Sequence, residues 1–108
     1  MSHVTTHILD ASIGRPAADV AVALEDADGA VVASARTDAD GRVKDLGSEA
    51  LEPGHYRLRF EVAAYFARTG TDSFYPVVTI DFTVGDAEQH YHVPLLISPF
   101  AYSTYRGS

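Results

Sequence analysis

The sequence predicts an all-β sandwich, and three observations carry that expectation. Five short stretches alternate apolar and polar residues at period two, the pattern of strands with one buried face: Val4 to Leu9, Val20 to Leu24, Tyr56 to Val62, Val77 to Val84 and Tyr91 to Ile97. Tight-turn residues separate them, namely Asp28-Gly29, Asp38-Ala39-Asp40-Gly41, Pro53-Gly54 and Gly85-Asp86, where Gly and Asp tolerate left-handed geometry. Helix-compatible composition is confined to Glu61 through Arg68. Short strands with frequent turns and almost no helix favour a sandwich over an alternating α/β fold, and most connections read as hairpins.

The elements carry different chemistry. In the first stretch, His7 and Leu9 fall on one face while Thr6, Ile8 and Asp10 fall on the other. A histidine beside apolar neighbours needs a partner, and a backbone carbonyl would satisfy it as well as a functional one. The turn Asp38-Ala39-Asp40-Gly41 projects Arg42 from the beginning of the next strand. There a guanidinium is either solvated or a fixed bidentate donor to a planar anion. Asp38 and Asp40 lack the twelve-residue pattern and terminal Glu of a calcium loop. Glu61 through Arg68 predicts one short helix that Gly70 stops.

His90 and His92 flank Tyr91, so a strand places both imidazoles on one face, about 7 Å apart. That spacing fits a solvated face, a metal site or acid/base catalysis. Zinc would need a third ligand, for which His7 and His3 are candidates. The closing run Phe100 to Tyr105, framed by Pro94 and Pro99, predicts an edge strand that pairs with another subunit or must be covered. Ser108 offers a hydroxyl and a carboxylate together, at an end of the kind that usually frays.

Composition bounds the function. The 108 residues suit one domain, 1–108, and 46% hydrophobic with 21% charged residues is ordinary globular composition. The formal net charge of -7, with no basic cluster, argues against nucleic acid as a partner. The absence of cysteine removes disulfides, thiolate zinc sites and a cysteine nucleophile. No window approaches a membrane span, and Met1 to Thr6 has neither a basic nor an apolar leader region, so a soluble, cytoplasmic protein is expected. No phosphate loop, nucleophile elbow or HExxH occurs. Read residue by residue, the chain is an acidic all-β domain with a candidate His-lined site, and fold alone names no reaction.

Three segments together resemble the 5-hydroxyisourate hydrolase family: Thr6-His7-Ile8-Leu9-Asp10 through Gly14-Arg15-Pro16-Ala17, then Thr37-Asp38-Ala39-Asp40-Gly41-Arg42, then His90-Tyr91-His92-Val93-Pro94-Leu95-Leu96-Ile97-Ser98-Pro99. The last continues through Tyr102-Ser103-Thr104-Tyr105-Arg106-Gly107-Ser108, a terminus that transthyretin lacks. The chain departs from the family pattern at Val77, where Glu commonly follows Phe-Pro, and at Ala101, where Gly is common. The resemblance implies a transthyretin-like sandwich of two four-stranded sheets with one short helix. It also implies a homotetramer built as a dimer of dimers, with active sites where dimers meet.

The implied reaction is metal-independent, cofactor-free hydrolysis of 5-hydroxyisourate, the product of urate oxidation, to 2-oxo-4-hydroxy-4-carboxy-5-ureidoimidazoline. The family's catalytic residues map onto His7, Arg42 and His92. Its substrate-binding set adds Tyr105, Arg106, Gly107 and Ser108 to His7 and Arg42. The competing reading is a transthyretin-like carrier of an aromatic small molecule, whose channel would be more apolar than these residues allow.

Overall fold

Strands with one apolar face must bury it against a second sheet. The computed structural model, which describes residues 3–47, 51–85 and 89–107, has that arrangement. In the first sheet β1 (Val4–Asp10) runs parallel to β8 (Tyr91–Ser98), and β8 pairs antiparallel with β9 (Ala101–Thr104). The other side of β1 is shared end to end by two short strands, β2 (Arg15–Pro16) at Leu9 and Asp10 and β5 (Arg42–Val43) at Thr6 and His7. The second sheet is wholly antiparallel, in the order β4 (Val31–Arg36), β3 (Ala21–Glu25), β6 (Gly54–Phe60), β7 (Val78–Val84).

The core lies between the sheets. Ile8, Leu95 and Ile97 from the first meet Leu24, Leu58 and Phe60 from the second, all essentially excluded from solvent. Helix α1 (Val62–Arg68) closes one side by burying Val62, Tyr65 and Phe66, the i, i+3, i+4 stripe of an amphipathic turn. Its C-cap is Thr69, and Gly70 follows at φ +69°, so the expected stop holds. No helix among the described residues is long and apolar enough to cross a membrane.

Several expectations need correction. The first sheet has five strands rather than four, because β2 and β5 divide one position between them. β4 escaped the sequence pattern because its inward residues are the small Ala33 and Ala35, which give little hydrophobic contrast. The strand expected to reach Val62 ends at Phe60, and Val62 instead begins the buried stripe of α1. β1 and β8 are parallel, and α1 stands between the antiparallel β6 and β7, so these connections are not hairpins. The closing run does form an edge strand, with β8 of its own chain on its one paired side.

One buried polar pair ties the helix to β1. Asp10, 3% exposed, accepts a 2.7 Å hydrogen bond from the Tyr65 hydroxyl and another from the Ser12 amide. Burial first, and then the Asp10 contact, push the Tyr65 pKa up to about 12. Tyr65→Phe strands the Asp10 oxygen and is expected to cost about 1–3 kcal/mol in urea denaturation. Because the folded pKa is raised, the native chain keeps this contribution below pH 10 and loses it as the pH climbs towards 12. An unchanged denaturation midpoint in the Phe variant would show that the contact carries no stability.

Candidate active site

Register brings four polar side chains to one face of the first sheet. Thr5 of β1 pairs with His92 of β8, and His7 of β1 pairs with Arg42 of β5. Because paired residues share a face and alternate residues along a strand return to it, Thr5, His7, Arg42 and His92 all emerge on the side away from the core. Thr6, Ile8 and Asp10 take the buried side, as expected.

The turn before Arg42 is built to fix it. The Asp38 carboxylate accepts hydrogen bonds from the Asp40 amide at 2.9 Å and the Arg42 amide at 3.0 Å. These bonds, the Arg42 one foremost, hold the carboxyl below its ordinary pKa. Gly41 sits at φ +75°, and a Cβ there would lie 2.4 Å from the Ile8 carbonyl oxygen, so no side chain fits. The Gly41 carbonyl accepts from the Ile8 amide at 2.7 Å, which stitches the turn to β1. The guanidinium that this frame presents is exposed, and among the described residues it makes no hydrogen bond or ion pair.

The same turn orients His7. A carbonyl oxygen can only accept, so His7 donates its Nε2 proton to the Asp40 carbonyl at 2.9 Å and keeps Nδ1 unprotonated when neutral. The backbone-carbonyl partner is therefore present at this residue, and its Nδ1 is left for another.

His92 is half-buried, and its Nδ1 lies 2.8 Å from the Thr5 hydroxyl. Burial lowers its pKa, helped by the positive charge of Arg42 and then by His90 and His7. A neutral imidazole at physiological pH is therefore its resting form. His90 is exposed, with Nε2 also 2.8 Å from the Thr5 hydroxyl. A cleft of about 310 Å³ joins Thr5, Arg42, Lys44, His90 and His92. Thr5 and Lys44 were not anticipated. The Thr5 position was recoverable, since it lies two residues before His7 on an alternating strand.

The tail folds back along β8 in the register of the β8–β9 hairpin. The Gly107 amide donates to the His92 carbonyl at 2.9 Å, and a Cβ on Gly107 would fall 2.5 Å from His92 Cδ2. Only glycine packs this closely on the imidazole. Pro94 has no N–H to give the ladder, and its carbonyl accepts from the Thr104 hydroxyl at 2.6 Å.

Tyr105 and Arg106 line a neighbouring cleft of about 350 Å³ that shares His92 with the first. Arg106 stacks over the Tyr91 ring at 4.8 Å and donates to the Gln89 side chain, so it is not beside Arg42 within the single chain. Ser108 lies outside the described residues.

Among the described residues, no three His, Asp or Glu side chains gather around a point that would hold a metal ion. His3, one candidate third ligand, is buried against Tyr91, and its Nδ1 accepts from the Leu51 amide.

The HIUase/Transthyretin family matches residues 4–107. A 5-hydroxyisourate hydrolase of Caulobacter vibrioides is 49% identical, with all of both chains covered. The solved 5-hydroxyisourate hydrolase of Klebsiella pneumoniae superposes with a TM-score of 0.90 at 44% identity, covering 97% of this chain and 98% of the other. Transthyretin from Sparus aurata superposes with a TM-score of 0.92 at 34% identity, covering 99% and 97%. On the family match across nearly its whole length, the chain belongs to the HIUase/Transthyretin family.

Proposed function

We propose that the chain hydrolyses 5-hydroxyisourate, the product of urate oxidation, to 2-oxo-4-hydroxy-4-carboxy-5-ureidoimidazoline. The observation that carries this reading is His92: an imidazole kept neutral by burial and by Arg42, in a cleft whose remaining polar groups are cationic or neutral donors. Water attacks a ring carbonyl, and His92 takes its proton at Nε2, the ring nitrogen that Thr5 leaves available. Arg42 holds the planar oxidised purine and stabilises the developing oxyanion. His7, with Nε2 committed to the turn, presents the Nδ1 lone pair to orient the water or a substrate N–H. Collapse breaks the ring C–N bond, and the proton on His92 passes to the leaving nitrogen.

Gly107 packs the tail onto His92, while Tyr105 and Arg106 form the far wall of the site in the assembled protein. That assembly is a homotetramer, a dimer of dimers with the catalytic faces between dimers. Exposed Phe100, Tyr102 and Tyr105 along the β9 edge and tail support such association. The substrate is unstable, so the hydrolase works where urate is oxidised, and we assign it to the cytoplasm. A small-molecule carrier shares the fold, but an exposed Arg42 beside His92 suits a reacting anion better than an apolar passenger.

The test is to generate 5-hydroxyisourate in place with urate oxidase and follow its ultraviolet decay with and without the protein. Acceleration supports the reading, and none overturns it. The same assay reads a pH profile. Since burial and the Arg42 charge lower the His92 pKa from 6.5, the acid limb of kcat/KM should be centred below pH 6.5. An acid limb centred above 6.5 would remove His92 as the base.

A further inference from the structure

We propose that Thr5 is a positioning residue for the base: its single hydroxyl, bonded to both His92 and His90, selects the His92 tautomer whose Nε2 lone pair meets water. This rests on the hydrolytic reading above. Thr5 is 7% exposed, and its Oγ1 is 2.8 Å from both His92 Nδ1 and His90 Nε2. One hydroxyl carries one proton, so it donates to at most one of the two neutral imidazoles and at least one of them donates to it.

Two arrangements keep the hydroxyl proton between the two imidazoles. In the first, His92 donates from Nδ1 to Thr5, Thr5 donates to His90 Nε2, and His92 Nε2 is a free lone pair. In the second every bond is reversed, and His92 Nε2 carries a proton and is no base. Arg42 shares the cleft with His92, and its positive charge, which acts on that imidazole, favours a lone pair over an N–H on the ring nitrogen that Thr5 does not hold. His90 is exposed, so the Nδ1 proton that the first arrangement requires of it is solvated at no cost. The first arrangement is the competent one, and Thr5 transmits it.

The chain of bonds also steadies the charged state. As the water oxygen bonds to carbon, its proton moves to His92 Nε2, and the resulting imidazolium strengthens its Nδ1–H bond to Thr5. On collapse the proton leaves Nε2 for the leaving nitrogen, and His92 returns to its starting tautomer. No proton needs to travel through Thr5.

Nitrogen-15 NMR of the imidazoles in the full chain at pH 8 tests this directly. His92 should be the Nδ1–H tautomer in the native protein and should revert largely to the commoner Nε2–H form in Thr5→Val. In the same variant kcat should drop about 10- to 100-fold, the scale on which losing the orienting partner of a functional histidine acts, with KM little changed. Thr5→Ser should recover both. His90→Leu, at an exposed position, removes only the acceptor and should mix the two His92 tautomers, which keeps the test open if Thr5→Val fails to fold. A native His92 carrying its proton on Nε2, or a folded Thr5→Val with unaltered tautomer and kcat, overturns the proposal. The spectra need no substrate, so they judge Thr5 even if the decay assay rejects the hydrolase reading.

Discussion

Replacing His92 by Ala is expected to slow hydrolysis of 5-hydroxyisourate by roughly 10²-fold or more, the scale of a lost general base. The cost reaches beyond the missing lone pair. His92 is the residue common to both clefts, the surface on which Gly107 packs, and one of the two bond partners of the Thr5 hydroxyl. Its loss should lower kcat more than it raises KM, because proton removal matters in the transition state and little in binding. Added imidazole, small enough to enter the vacated space, should restore part of the rate. His55→Ala removes another imidazole, one paired with Asp81 on an exposed part of the second sheet, and should leave the rate unaltered. Turnover by His92→Ala equal to the native rate would end its assignment as the base.

The fold was legible where burial makes strong contrast. β1, β3, β7 and β8 follow their alternating patterns to within a residue or so, and α1 follows its Ala-rich run and glycine stop. β4 was not, because Ala33 and Ala35 face the core with little more than a methyl group each. The two-residue β2 and β5 are too short to show any period; they exist because Ile8 is bridged by Gly41 on one hydrogen bond and Ala17 on another. Nor does local sequence show that β1 and β8 are parallel, which depends on how the whole chain winds.

That pairing makes the site. Residues 5 and 92 are distant in sequence, and only the parallel register sets Thr5 beside His92, so the local pattern that makes His7 and His92 candidates does not single out Thr5. The tail shows the reverse case. Ser108 stands at an end of the kind that usually frays, yet Gly107 before it is held by the His92 carbonyl of its own chain. Arg106 next to it turns to the Tyr91 ring and the Gln89 side chain of the same chain.

Arg42→Lys is expected to cost roughly 10²–10³-fold in kcat, the effect of losing a preorganised oxyanion donor, although the charge is kept. Lysine is a flexible point charge without the planar fork that matches a flat anion, so retained charge does not preserve geometry. The turn argues for geometry: Asp38 spends its carboxylate on the Arg42 amide, and Gly41 occupies a conformation and a space closed to side chains. A charge serving only to attract an anion would need no such frame. His92 separates the two roles, because its lowered pKa owes part of its shift to the Arg42 charge. Arg42→Lys should therefore keep the acid limb of the pH profile nearly in place while the plateau drops, whereas Arg42→Ala should drop the plateau and move the limb towards higher pH. A Lys variant with native kcat would show that charge alone suffices and would leave the turn's rigidity without a catalytic purpose.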